Sequence, residues 1–177
     1  TVQTSTGTSK TEKYRMNFNH PVKELIWVYR SDEAESENDI FNFSIDSTAA
    51  DDQPSWQDTS ATPSSVTQAT GDEPVTSAKI LLNGHDRFSD RHGSYFRLVQ
   101  PYQHHTRVPS KHIYCYSFAM KPEEHQPSGT CNFSRIDNAT LSLTFNANIA
   151  SGKVKIFAVN NNVLRIMSGM GGLAYSN

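Results

Sequence analysis

Cysteine is scarce: Cys115 and Cys131 are the only two in 177 residues. Two thiols cannot build a disulfide framework. One bridge is open to them in an oxidising compartment, but two reduced, mostly buried thiols is the preferred reading. There is no CxxC pair and no Cys/His spacing suited to zinc. Long apolar runs are missing too. The longest, Leu25 to Tyr29, is strand-sized, far short of the roughly 20 residues that span a bilayer as a helix. No signal-peptide pattern opens the chain. Basic excess is lacking: 16 Lys+Arg stand against 18 Asp+Glu, so the global electrostatic footprint of a nucleic-acid binder is absent. Hydrophobic residues are 36 % of the chain, enough for a core while leaving much to loops and surface. This length makes one domain, or at most two small ones. The first residue is Thr1, not Met, which reads as a processed product, a fragment or the ordered part of something longer.

Charge is present but unevenly placed. Between Arg30 and Lys79 there is no Lys or Arg, while eleven acids run from Asp32 to Glu73. A near-neutral total therefore hides an acidic segment on a basic body. Residues 46–77, rich in Ser, Thr, Asp and Pro, read as an extended acidic surface loop that repels itself and stays solvated. Loops of that length are usually functional or disordered. Trp56 inside it is expected to pin the loop to the body.

The rest reads as strands. Tyr14–Asn19 alternates, and Val22–Arg30 is rich in β-branched and aromatic residues. Pro21 between them cannot sit in a central ladder. Further strands are expected at 40–45, 79–82, 113–120, 130–135, 139–146, 153–159 and 163–167. In the 139–146 segment Leu141, Leu143 and Phe145 share one face. Asn83-Gly84 is a turn signal. Helical pattern is nearly absent; one or two turns are expected over 86–92, with Asp86 as cap. About nine strands with polar connections predict an all-β sandwich or barrel, a single domain over 1–177. Spacing alone does not separate an immunoglobulin-like sandwich from a jelly roll.

Catalytic sets are also missing. No G-x-S-x-G elbow, phosphate loop or HExxH occurs. Seven histidines are present. Of these, His104, His105 and His112 suggest a metal cluster only weakly, because strand neighbours point to opposite faces and no carboxylate partner is evident in sequence. Glu123-Glu124-His125 lies between two prolines in an expected surface turn, with ordinary acidity as the default. Three sequons occur, at Asn42, Asn132 and Asn138. They are candidate glycosylation positions, although the sequence gives no sign of a secretory route. A lectin-like jelly roll is a second reading, with Trp56, Tyr95, Tyr102 and Tyr114 as stacking platforms. A cupin-like enzyme is a third, and it would need a metal-binding His/Glu cluster.

Four blocks carry a resemblance: NHPVKELIWVYR (Asn19–Arg30), YFRLVQPYQHHTRVP (Tyr95–Pro109), YSFAMKPEEHQPSGTCNFSRIDNATL (Tyr116–Leu141) and NNVLRIMSGMGGLAYSN (Asn161–Asn177). Together they resemble the major capsid proteins of nucleocytoplasmic large DNA viruses, in the family's order. The resemblance implies an eight-stranded antiparallel jelly-roll sandwich, the second of two in a longer chain, with the acidic 46–77 segment as an outer loop. It implies a structural protein without enzymatic activity or cofactor, and a homotrimer forming a pseudo-hexagonal capsomer. Neighbouring capsomers, penton proteins and minor capsid proteins are the implied partners. Nucleic acid is not contacted directly, and an internal viral membrane lies only at a distance. The implied place is the virion shell, assembled in the host cytoplasm.

Candidate interface residues follow from the matching blocks. Pro21 fixes a bend through its locked φ. Pro122, Pro127 and Gly129 make a stiff turn suited to meeting a neighbour at low ordering cost. Arg135 and Asp137, two apart, point to one side if that stretch is a strand, paired with each other or across an interface; a surface ion pair of little worth is an equal reading. Arg165 sits inside an apolar strand and suggests an interface or a buried partner. Gly169 opens a glycine-rich stretch able to pass close to an adjacent domain.

Overall fold

The structure, a computed structural model, describes residues 2–6, 10–45, 73–147 and 149–174. The acidic segment 46–72, with Trp56, lies outside the described residues.

Twelve strands are present among them: β1 (Val2–Thr6), β2 (Thr11–Met16), β3 (Pro21–Ser31), β4 (Val75–Leu82), β5 (His85–Asp86), β6 (Arg91–His92), β7 (Tyr114–Ser117), β8 (Cys131–Asn132), β9 (Ala139–Phe145), β10 (Gly152–Asn160), β11 (Leu164–Met167) and β12 (Met170–Leu173). The number exceeds the expected eight because β5, β6 and β8 are two-residue pairings and β11–β12 forms a separate hairpin. One sheet runs β1-β10-β3-β7, with β8 also pairing to β3; the other runs β2-β9-β4-β5, with β6 also on β4. All pairings are antiparallel. The long strands β2, β3, β4, β7, β9 and β10 alternate between the two sheets at every step along the chain. That alternation builds a sandwich by crossovers rather than by hairpins, as in jelly rolls.

Period-two patterning decides which side chains meet between the sheets. Leu141, Leu143 and Phe145 of β9 are fully buried, as their shared face predicts. They meet Leu25, Trp27 and Tyr29 of β3 and Val154 and Ile156 of β10 in one core. Each such side chain contributes about 1.5–3 kcal/mol on burial. Trp27 stacks on Tyr114 at 6.1 Å and tilts against Phe96 at 5.2 Å. Pro21 begins β3, where a missing amide costs least. His20 before it takes φ +74°, and its amide donates to Ser134 Oγ at 3.0 Å.

Several expected elements differ. No helix forms over 86–92; β5 and β6 return there onto β4, and Asn83-Gly84 makes the turn with φ +51° and +82°. Helix forms instead from a π-helical turn (Tyr95–Val99) into α2 (Gln100–His104). The wider π turn accommodates Pro101, which has no amide to give. Residues 40–45 are not a strand. Ser31 caps α1 (Asp32–Ser36) by accepting from the Ala34 amide at 3.1 Å, and Asn42 Oδ1 accepts from the Ser44 amide at 3.0 Å. These local bonds replace the ladder. The acidic stretch ends before residue 77, because β4 begins at Val75. Glu73 is buried and pairs with Arg97 at 3.1 Å.

The two thiols lie on one strand edge, Cys115 opposite Ile26 and Cys131 opposite Val22. Four residues along β3 span about 13 Å, beyond disulfide reach of about 7 Å between Cα atoms. Both cysteines are free. Burial pushes the Cys115 thiol up to about 12, leaving little thiolate at neutral pH.

Candidate assembly surface

The β11–β12 hairpin follows β10 and stands apart from both sheets. Its register pairs Leu164 with Leu173, Arg165 with Gly172, Ile166 with Gly171 and Met167 with Met170. One face therefore carries Leu164, Ile166 and Leu173, and the other Arg165, Met167 and Met170. Ser168 and Gly169 make the turn at φ +51° and +77°. Every residue of the two strands is exposed. The large apolar residues from Val163 to Leu173 are 54–75 % exposed.

A second apolar surface lies on the helical segment. Leu98, Val99 and Tyr102 share its outer side, with Tyr102 81 % exposed. Met120 is nearby and 75 % exposed; its carbonyl lies 3.0 Å from His104 Nδ1.

Beneath this surface sits a charged clamp. His105 Nε2 lies 2.9 Å from Glu24 Oε2, and Nδ1 lies 3.1 Å from Glu123 Oε1. The Thr106 amide donates to the second Glu123 oxygen at 3.1 Å. Lys23 Nζ donates to the Pro122 carbonyl at 2.7 Å. These contacts tie the turn after β7 to β3 and to the end of α2. Burial raises the Glu24 carboxyl above its usual range, outweighing the pull of His105 and Lys23. Burial also acts on Glu123, but hydrogen bonds from His105 and Thr106 prevail and lower it. This corrects the sequence expectation that the histidines lack a carboxylate partner. The partners are distant in sequence, and no local spacing could reveal them. Among the described residues no group of three His, Cys, Asp or Glu could hold a metal ion.

The structure brings some expected interface residues together. Pro21, Pro127 and Gly129 line one groove of about 270 Å³ with Thr130 and the hairpin root Asn161–Val163. Gly129 takes φ +130°, and a Cβ there would meet the Phe118 carbonyl at 3.2 Å. Pro122 is buried and anchors the turn through its carbonyl. Arg135 and Asp137 do not share a strand: Asn132 caps a 3-10 turn (Phe133–Arg135), and no ion pair joins the two among the described residues. The Asp137 amide instead donates to Asn83 Oδ1 at 3.0 Å. Among the described residues Arg165 has no buried partner; it is exposed on the hairpin. Gly169 lies at the hairpin tip. Asn132 and Asn138 present exposed side chains, whereas Asn42 is buried. Of the suggested sugar platforms, Tyr114 is sealed in the core against Trp27, and Tyr95 packs edge-on against Phe96. Among the described residues of that set Tyr102 alone is open.

A two-sheet sandwich crossed at every step, with its apolar hairpin held outside, is a jelly roll of the kind found in capsid subunits. The family model described as large eukaryotic DNA virus major capsid protein matches residues 1–172. The chain is 46 % identical to the major capsid protein of Pyramimonas orientalis virus, over 96 % of the chain and 40 % of that protein. It is 43 % identical to that of Paramecium bursaria Chlorella virus 1, over 100 % of the chain and 46 % of that protein. The crystal structure of PBCV-1 VP54, which has been fitted into a reconstruction of the virophage Sputnik, superposes with a TM-score of 0.78 at 37 % identity, covering the whole chain and 50 % of VP54. The chain belongs to the large eukaryotic DNA virus major capsid protein family, a structural and non-enzymatic family. It spans half or less of the length of these relatives.

Proposed function

We propose that this chain is one jelly roll, the second of two, of a major capsid protein whose work is self-association into a virion shell. The observation that carries the reading is the match of the entire chain to PBCV-1 VP54 in fold and sequence. The mechanism is geometric. Rigid sheets set the block's shape, and exposed apolar elements set its contacts. In this proposal three full polypeptides close into a trimeric capsomer; a head-to-tail contact makes a ring when its rotation closes. Neighbouring capsomers, penton and minor capsid proteins are the proposed further partners, and host cytoplasm the proposed site of assembly. The acidic segment 46–72 is proposed as an outer loop. Asn132 and Asn138 are the proposed positions for any N-linked glycan, because their side chains are exposed and that of Asn42 is not.

The test is the mass of the full polypeptide in solution, by light scattering or native mass spectrometry. A stable species near three times the monomer mass is expected. A monomer that does not assemble at high concentration refutes the proposal.

A further inference from the structure

The β11–β12 hairpin exposes more apolar surface than the domain's own fold explains. Its large apolar residues, Leu164, Ile166 and Leu173 on one face and Met167 and Met170 on the other, are 54–75 % exposed. The largest patch on an ordinary monomer is about 300–600 Å² and is often functional. Arg165 is the only charge between Asn161 and Ala174. By contrast, β2 carries Glu12, Lys13 and Arg15, the usual guards against edge pairing. A two-stranded ribbon is marginal by itself in water.

The glycines supply an independent observation. Gly93 and Gly152 are explained within the domain: a Cβ would strike the Val75 carbonyl at the first, and the Arg30 carbonyl and Tyr29 ring at the second. Gly171 and Gly172 are not. A Cβ at either would meet nothing within 4 Å, and neither takes a positive φ. Glycine inside a strand weakens it and often marks close approach of another backbone. Here no backbone of the described residues approaches. The open slots lie opposite Ile166 and Arg165, one on each face of the hairpin.

A matching apolar face exists on the same molecule. Leu98, Val99, Tyr102 and Met120 form an exposed ridge on a different element. One head-to-tail contact would cover both surfaces at once.

We infer that the β11–β12 hairpin is an assembly arm that seats on the Leu98–Tyr102–Met120 ridge of a second copy of the polypeptide. The inference rests on the self-association proposed above and names the elements that perform it. Gly171 lets the ridge side chains lie against the arm's backbone beside Ile166, and Ile166 and Leu173, on that same face, are its anchors.

The test uses the full polypeptide with a photo-crosslinking amino acid at position 166, assembled from equal amounts of ¹⁴N- and ¹⁵N-labelled copies. Hybrid crosslinks to the peptide holding residues 95–104 or to Met120 are expected. Crosslinks confined to one isotope would show the arm lying on its own chain and overturn the inference. So would hybrid crosslinks only to other surfaces. Ile166→Asp with Leu173→Asp should raise the concentration for half-assembly about tenfold or more while leaving the thermal unfolding of the monomer unchanged. Unaltered assembly of that variant beside an assembling parent would sink the arm alone. A parent that never assembles would sink the self-association reading as well.

Discussion

Replacing His105 with alanine would leave the Glu24 carboxylate without its nearest partner. The Glu24 side chain is only 8 % exposed and that of His105 15 %. Breaking a buried pair by removing one partner costs about 3–5 kcal/mol. Two features reduce the figure here. The 2.9 Å contact is not aligned as a hydrogen bond, and Lys23 supplies a second favourable charge to Glu24. A loss of about 2 kcal/mol is therefore expected, comparable to leaving one buried polar group unsatisfied. The Glu123 side chain is 41 % exposed, so solvent screens it and its share should be much smaller than that of Glu24. Urea unfolding of His105→Ala, Glu24→Gln and the double variant would give a coupling energy of about 1.5 kcal/mol, with unchanged dependence on denaturant. The same cycle with Glu123→Gln should give a clearly smaller coupling than the cycle with Glu24→Gln. His104→Ala is the control, because it loses only a surface bond to Met120. Coupling of Glu24 to His105 indistinguishable from zero, or equal losses for the two histidines, would refute the clamp.

Three further outcomes are expected. Leu141→Ala should destabilise by about 3–4 kcal/mol, because Leu141 is fully buried between Tyr14 and Ile80 in register and the site cannot collapse. Exposed Lys13→Ala should cost under about 0.5 kcal/mol by the same denaturant measurement. Gly152→Ala should cost about 2 kcal/mol or more, since its Cβ meets the Arg30 carbonyl and the Tyr29 ring, while Gly171→Ala should leave unfolding unchanged or slightly improved. The two carboxylates should give opposite pH signatures. Glu24 is raised when folded, so its ionisation opposes folding, and Glu24→Gln should gain on the parent as pH rises above about 4.5. Glu123 is lowered, so its stabilisation is present above about pH 4.5 and lost as pH falls through its folded value. The deficit of Glu123→Gln should therefore vanish in acid, read from unfolding curves across pH.

Legibility in the sequence followed locality. Alternation in β9 was enough to place Leu141, Leu143 and Phe145 in the core, and Asn83-Gly84 marked its turn correctly. The same alternation misled at 40–45, where the Ser31 cap and the Asn42 side chain bind the backbone first and leave Ile40 and Phe41 in solvent. The helical segment ending at His104 was hidden by Pro101, a residue that argues against helix unless a π turn accommodates it. Arg135 and Asp137 were paired by strand parity, which fails once Asn132 starts a 3-10 turn. Glu24, His105 and Glu123 come from three separated segments and meet only through the tertiary fold. Arg165 suggested an interface or a buried partner because its neighbours are apolar; those neighbours face solvent, which removes only the buried alternative. The family was legible in the four quoted blocks.

The alternation of strands between sheets also bears on when the domain can fold. β9 and β10 lie inside their sheets, each flanked on both sides. They are also the last strands of the sandwich to be synthesised. Until residues 139–160 leave the ribosome, β2 has no partner and β3 lacks its longest one. Closure then depends on contacts between segments far apart in sequence, a topology that folds slowly and all together. The hairpin emerges immediately after β10. Its apolar strands therefore become available only once the body beneath them has everything it needs to close, so the order of synthesis itself holds back premature association.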